Sequence, residues 1–170
     1  MAVEIRKTYK EQFPSLRLIG KKYGDTDRQN GSFGHKWGEW FQNGWFNTLE
    51  SLQPLPENGD AYLGVMRVVN GMVEYWIGMF FPENTAVPDR FDFEDIGAFD
   101  VATCWLYGNE KNGELYGLDV HNLCVSEAAK HGMMRKDDDW CFEKYNCPRF
   151  TTPDEKGNVI LDYCIAIEQN

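Results

Sequence analysis

Apolar residues recur with period two along several short stretches of the chain and with a period near four along two longer ones, which predicts strands interrupted by two helices. Residues 1–12 are polar and charged and read as a lead-in strand or arm. Leu16-Arg17-Leu18-Ile19-Gly20 reads as a first strand that runs on to Tyr23. Residues 24–32 are rich in Gly, Asp and Asn and form a loop, with Ser32 placed to cap a helix. From 33 to 52, Phe33, Trp37, Phe41, Trp45 and Leu49 recur every four positions, and Trp40 and Phe46 widen the stripe. That is one amphipathic helix with an aromatic face. Gly34, Gly38 and Gly44 weaken it by up to about 1 kcal/mol each, so tertiary packing has to hold it. Such a stripe is core or the wall of a ligand box, and Trp37 and Phe41 are therefore binding candidates. The run Pro54-Leu55-Pro56-Glu57-Asn58-Gly59 ends the helix and turns the chain.

Two strands, 62–69 and 72–81, flank Asn70-Gly71, a dipeptide whose backbone preferences suit a tight hairpin. A short strand comes next at 91–96, then a turn at Gly97. The order then repeats: a strand at 100–107, a turn-rich loop at 108–113, and a helical pattern over 115–130 carried by Leu118, Val125 and Ala129 and ending near Gly132. Asp137-Asp138-Asp139 reads as a solvated loop. Two strands close the chain, 140–146 and 159–167, joined by the Pro- and Gly-containing segment 147–158.

Each half therefore reads strand, helix, hairpin. Val73-Glu74-Tyr75-Trp76-Ile77-Gly78-Met79 parallels Leu161-Asp162-Tyr163-Cys164-Ile165-Ala166-Ile167, and Lys22-Tyr23-Gly24 parallels Leu106-Tyr107-Gly108. The expected fold is α+β: duplicated strand-helix-hairpin modules with pseudo-two-fold symmetry, at about 13–81 and 91–168. Their strands would form an antiparallel or mixed sheet with two helices on one face and a cleft on the other.

Glu143 carries the candidate chemistry. It lies in Trp140-Cys141-Phe142-Glu143-Lys144-Tyr145, and strand alternation puts it on one face with Cys141 and Tyr145. A carboxylate held among aromatic rings attracts organic cations or acts as a proton acceptor with a raised pKa; the plain alternative is a solvated Glu on an edge strand. If Val73, Tyr75, Ile77 and Met79 face the helices together with Leu161, Tyr163, Ile165 and Ile167, the opposite face carries Trp76 and Gly78. Matched parity adds Thr103, Trp105, Tyr107, Glu143 and Tyr145 to that face. Two Trp, two Tyr and one acid suit a flat, lipophilic, preferably cationic molecule; the alternative is a face covered by a loop or a second subunit.

Composition narrows this further. The formal charge of -10 disfavours direct binding of nucleic acid and favours a cationic partner, or serves solubility alone. The five cysteines, Cys104, Cys124, Cys141, Cys147 and Cys164, show no CxxC spacing and read as reduced, buried thiols in a cytoplasmic protein. No His lies at metal-ligand spacing, so neither metal nor cofactor is expected, and no apolar run is long enough to span a membrane. His35, His121 and His131 read as surface or helix-end residues.

The Gly20-ended strand, Glu74-Tyr75-Trp76-Ile77-Gly78, Phe142-Glu143-Lys144-Tyr145 and Tyr163-Cys164-Ile165-Ala166-Ile167, in that order, resemble the GyrI-like domain, the effector-binding domain of bacterial multidrug-responsive transcription activators. The resemblance covers most of the chain and implies a single such domain over 1–170, standing alone, with a hydrophobic cleft between its modules. It also implies that Glu143 pairs with cationic, lipophilic ligands while aromatics stack on them. The second helix departs from the family: it lacks the tryptophan that often starts it and carries Asp119, His121, Asn122 and Cys124. With no helix-turn-helix segment, the chain is not expected to be a DNA-binding activator by itself. The first expectation is sensing or sequestration of a small amphipathic or cationic molecule, with Glu143, Trp76, Trp105, Tyr107, Tyr145, Trp37 and Phe41 lining the site. The second is a hydrolase of strained, cyclopropane-type natural products, with Glu143 as general base helped by Tyr145 or Tyr107. The third is a homodimer or protein-interaction module like the gyrase-inhibitor relatives.

Overall fold

Among the described residues the chain forms strands β1 (Glu4–Phe13), β2 (Leu16–Tyr23), β3 (Tyr62–Val69), β4 (Met72–Pro82), β5 (Asp92–Ile96), β6 (Phe99–Gly108), β7 (Cys141–Tyr145) and β8 (Val159–Ala166). Its helices are α1 (Gly34–Asn43), α2 (Trp45–Glu50) and α3 (Leu118–Lys130). The computed structural model describes residues 3–56, 60–146 and 148–169, so Cys147 and the turn expected at Glu57-Asn58-Gly59 lie outside the described residues. The protein is α+β, as its patterning predicts, and it divides into two compact units.

The first unit spans 14–98. Its antiparallel strands run in the order β3-β4-β2-β5. The β3–β4 hairpin closes through Asn70 (φ 53°) and Gly71 (φ 76°), the left-handed pair that matches the strands' own twist. Tyr75, Ile77 and Met79 of β4 and Ile19 of β2 pack against Trp40, Phe46 and Leu49 of the two helices. Most of this contact is aromatic. Phe33 stacks on Tyr75 with centroids 4.3 Å apart, and Phe46 on Tyr62 at 3.8 Å. The buried Trp40 indole donates to the Tyr23 hydroxyl at 3.1 Å, and the half-buried Trp37 indole to that of Tyr75 at 2.9 Å.

The helix expected over 33–52 is two helices. Gly44 sits at φ 67°, ends α1 and starts α2, and this change of direction breaks the period-four stripe. Trp40, Phe46 and Leu49 are buried, Trp37 and Trp45 half-buried, and Phe41 is 62% exposed. The N-cap of α1 is Phe33 rather than the expected Ser32; Ser32 sits one position earlier, where its hydroxyl accepts the Gly34 N–H at 2.9 Å.

The second unit comprises 1–13 and 99–170. Its strands are also antiparallel, in the order β1-β6-β8-β7. Both units thus place the first strand of a strand-helix-hairpin run beside the last strand of its hairpin. A further strand pairs on the outer side: β5 on β2, and β1 on β6. The 91–96 segment, grouped with the later module by its position in the chain, pairs within the first unit. The face of α3 also differs from its apolar pattern. Val120, Cys124 and Ala128 are buried, whereas Leu118 is 71% exposed and Ala129 faces solvent. A stripe of small residues lets the helix approach closely, so Cys124 and Ala128, rather than the bulkier Leu118, decide its rotation.

The packing between β2 and β4 is tightest at Gly20, directly opposite Gly78. A Cβ on Gly20 would lie 2.0 Å from the Ile77 carbonyl oxygen and 2.8 Å from the Gly78 Cα, both backbone atoms that cannot step aside. Gly20→Ala is therefore expected to cost more than about 2 kcal/mol in chemical denaturation, well beyond an ordinary surface substitution.

Candidate functional site

The register of the second unit decides which side chains meet. Across the ladders Glu143 pairs with Tyr163, and Tyr163 with Cys104, so these three share one face. One residue along, Lys144 pairs with Asp162, and Asp162 with Trp105; these share the other. Glu143 and Tyr145 therefore face α3, while Thr103, Trp105 and Tyr107 point away from it. The expectation that all five share one face is corrected here. Alternation within each strand holds, but relative parity between strands depends on register, and an offset of one residue exchanges the faces.

On the α3 face the Tyr145 hydroxyl donates to Glu143 Oε1 at 3.0 Å. Tyr116 stands just ahead of α3, and burial together with the negative charge of Glu143 holds its phenol well above the ordinary value. His121 of α3 meets the Tyr163 hydroxyl through Nδ1 at 2.6 Å, its ring edge-on to the phenol. Cys141 and Tyr163 are both buried. Glu143 keeps a little accessible surface, yet protein surrounds its carboxyl closely enough that desolvation raises its pKa from 4.5 to about 7; the Tyr145 bond opposes this without overcoming it. Among the described residues no cation is bonded to it. Burial also lifts the Tyr163 phenol and the Cys141 thiol, and with the charge of Arg135 it holds His121 below its ordinary value, in the neutral form at pH 7. The arrangement is a half-neutralised carboxyl walled by phenols and a neutral imidazole.

The opposite face is occupied by the chain's own charges. Lys144, 1% exposed, bonds Glu11 at 3.1 Å and lies 3.9 Å from Asp162. Arg149 grips Asp162 with two bonds of 3.1 and 2.7 Å and lies 4.4 Å over the Trp105 ring. Burial pulls the Lys144 ammonium down, but the Cys164 thiol and the carboxylates of Glu11 and Asp162 outweigh it, and it stays charged. Thr103 donates to Glu11 at 2.6 Å, and Trp105 donates to the Tyr9 hydroxyl at 3.1 Å beneath Lys7. Tyr107 donates to Asp154 and carries the Arg6 guanidinium 3.8 Å above its ring. An open depression of about 350 Å³ lies beside it, lined by Tyr107, Arg149, Thr152 and Ile160. Lys and Arg have thus taken the cation positions over Trp105 and Tyr107.

In the first unit Trp76 is 1% exposed and donates to Glu74 at 2.8 Å, while Glu74 also binds Arg67. Trp37 and Phe41 lie on α1, 6.4 Å apart, Phe41 open to solvent. Of the predicted site residues only Glu143 and Tyr145 come into hydrogen-bond contact. Tyr116, Tyr163 and His121 join the group without having been expected there. The one available signal was the polar run Asp119-Val120-His121-Asn122 in a helix that otherwise needed an apolar face.

No family model and no curated protein matches the chain. Solved structures do. A bacterial transcription regulation protein, so described, from Staphylococcus aureus MU50 superposes with a TM-score of 0.64 at 17% identity, covering 96% of this chain and 99% of its own. SAV2435 bound to tetraphenylphosphonium gives 0.65 at 18% identity over 95% and 94%. The EcmrR C-terminal domain gives 0.58 at 10% identity over 96% and 98%. The chain has a GyrI-like fold. The resemblance carried by four short strand patterns holds at the level of the fold.

Each face yields one measurable outcome. Trp105→Ala removes the platform beneath Arg149 and Lys7 and is expected to lower stability by about 2–3 kcal/mol in denaturant titrations. For Glu143, unfolding releases a proton between pH 4.5 and about 7, because the unfolded carboxyl ionises first. Native stability then falls as pH rises through that window and levels off above it. Glu143→Gln removes this cost: a gain of about 1–3 kcal/mol at pH 8 that disappears near pH 4, checked by thermal or urea unfolding at both pH values.

Proposed function

We propose that this protein binds lipophilic organic cations through Glu143, as a sensing or sequestering module. The observation that carries this reading is a carboxyl raised to about 7 by burial, hydrogen-bonded among the described residues by Tyr145 and walled by Tyr116 and Tyr163. A buried carboxylate of this kind is stabilised by any cation that can enter a low-dielectric site, and organic cations with spread charge give up their water most cheaply. Phenol rings add cation–π attraction at little entropic cost. The same-fold structure of SAV2435 holds tetraphenylphosphonium, a cation of this class. The net charge of -10 draws cations towards the protein over longer distances.

Cation binding needs the ionised carboxyl, so affinity is linked to pH. With Glu143 near 7, the Kd for tetraphenylphosphonium is expected to weaken up to about tenfold per unit below pH 7 and to be flat above about 8. Calorimetry at pH 6 in two buffers of different ionisation enthalpy should record release of nearly one proton. Glu143→Gln should abolish both the pH dependence and the preference over a neutral analogue of matched shape. Equal loss for cation and neutral analogue would sink the ion-pairing role.

A second reading rests on the same carboxyl. A base with pKa near 7, 3.0 Å from a phenol, is poised for proton transfer to and from water, as hydrolysis of a strained cyclopropane would require. Consumption of such an electrophile by wild type and not by Glu143→Gln would make the protein an enzyme; binding without consumption leaves it a receptor.

A further inference from the structure

Arg17, Arg67 and Arg149 are each gripped by carboxylates. Arg135 is not. Its side chain is only 20% exposed, and its Nε is enclosed with no acceptor among the described residues. Its ion pair with Asp137 spans 4.0 Å to a carboxylate that is 96% exposed. An enclosed N–H without an acceptor is costly, and a long pair to a solvated carboxylate returns little.

The backbone fixes where this cation stands. Ahead of β7, residues 134–136 run along the end of β8 and Arg135 bridges Ile167 in antiparallel register. The Lys136 N–H bonds the Ala166 carbonyl at 2.9 Å, and the Glu168 N–H bonds that of Met134 at 2.8 Å. Cys141 opposes Ile165 and Glu143 opposes Tyr163. Arg135, Cys141 and Glu143 therefore succeed one another at alternate positions of β8, all on the α3 face. The charge of Arg135 bears on His121 and Cys141, in keeping with that placement.

Tyr163 and Ile167 are four residues apart, about 13 Å along an extended strand. At that spacing Glu143 and Arg135 do not neutralise each other, and no ion pair joins them among the described residues. One face thus carries an enclosed acid without a cation and, further along, an enclosed cation with hardly an acid. Ile165, Cys141 and Tyr163, all buried, lie between them.

We propose that the site takes organic cations that also carry an anionic group, with Glu143 receiving the cation and Arg135 the anion. This rests on the cation-binding function proposed above and narrows it to zwitterionic ligands. A guanidinium receives carboxylate, sulfonate or phosphate oxygens through paired N–H donors. Charges on the order of 10 Å apart in the ligand match the separation of the two residues. The protein's net charge of -10 draws a simple cation more strongly than a zwitterion, so a preference for the zwitterion has to arise at the site.

The test compares 5-carboxypentyl-triphenylphosphonium with its methyl ester by calorimetry at pH 8, above the Glu143 midpoint of about 7. Wild type is expected to bind the carboxylate compound about tenfold more tightly than the ester. Arg135→Gln should bring that ratio to about one by weakening the carboxylate compound alone. Arg135→Lys, which keeps the charge and loses the fork, should retain part of the preference and carries the comparison if Arg135→Gln does not fold. Circular dichroism and thermal unfolding report the folding of each variant. A wild-type ratio of one or less overturns the proposal, and so does a full preference that survives in folded Arg135→Gln. Equal weakening of both compounds by Arg135→Gln also overturns it, since that is the mark of lost packing. An ester that binds Glu143→Gln as well as wild type overturns the cation-binding reading instead, and the two failures are thereby told apart.

Discussion

The pairing of β7 with β8 is the constraint on which the second unit depends. It sets Glu143 opposite Tyr163 and, one residue on, Lys144 opposite Asp162. Two neighbouring side chains of opposite charge are thereby sent to opposite faces of one strand. On one face the cation is neutralised: Lys144 lies within 4 Å of Glu11 and Asp162, and Arg149 completes the cluster. On the other face the acid stands among phenols, the Cys141 thiol and an imidazole, with no cation bonded to it among the described residues. A slip of one residue would place Glu143 beside Asp162 and Lys144 under α3, leaving like charges together and a cation among apolar groups. Each costs several kcal/mol, so the buried pairs specify register as much as they add stability.

That arrangement explains the raised pKa of Glu143, and the partners of the other enclosed acids mark the contrast. Asp162 is completely buried, but it has two cations and an amide as partners. Glu74, half-buried in the first unit, has Arg67 and the Trp76 indole. Glu143 is enclosed without a cation among the described residues, and desolvation then favours the protonated form. A fold tolerates such a cost where a bound partner removes it, and stability given up at one position is a common mark of a binding site. The aromatic residues divide along the same line. Trp105 and Tyr107 serve the chain's own arginines and lysine, Trp37 and Trp40 donate to tyrosines of their own unit, and Tyr145 donates its hydroxyl to Glu143.

Much of the architecture was legible in the sequence because it rests on local rules. Period two marked the strands to within a residue or two, Asn70-Gly71 marked its hairpin, and Glu143 stood out as an acid among aromatics. The sharing of one face by Glu143 and Tyr145 also follows from alternation alone, and their hydrogen bond bears it out. What failed were inferences that needed information from outside the segment. The break at Gly44 depends on tertiary packing that favours two short helices over one. The buried face of α3 depends on how near the sheet allows the helix to come, which selects Val120, Cys124 and Ala128 over Leu118.

Residue order along the chain therefore determined the elements, the hairpin and the identity of the acid, since each is governed by neighbours a few positions away. Tertiary structure alone decided the company that acid keeps. Parity between strands is a property of register, and register is set by the sum of contacts across β6, β8 and β7. Tyr116, 27 positions before Glu143, and His121, 42 before Tyr163, reach the site only because α3 crosses the sheet there. No local pattern records such distances.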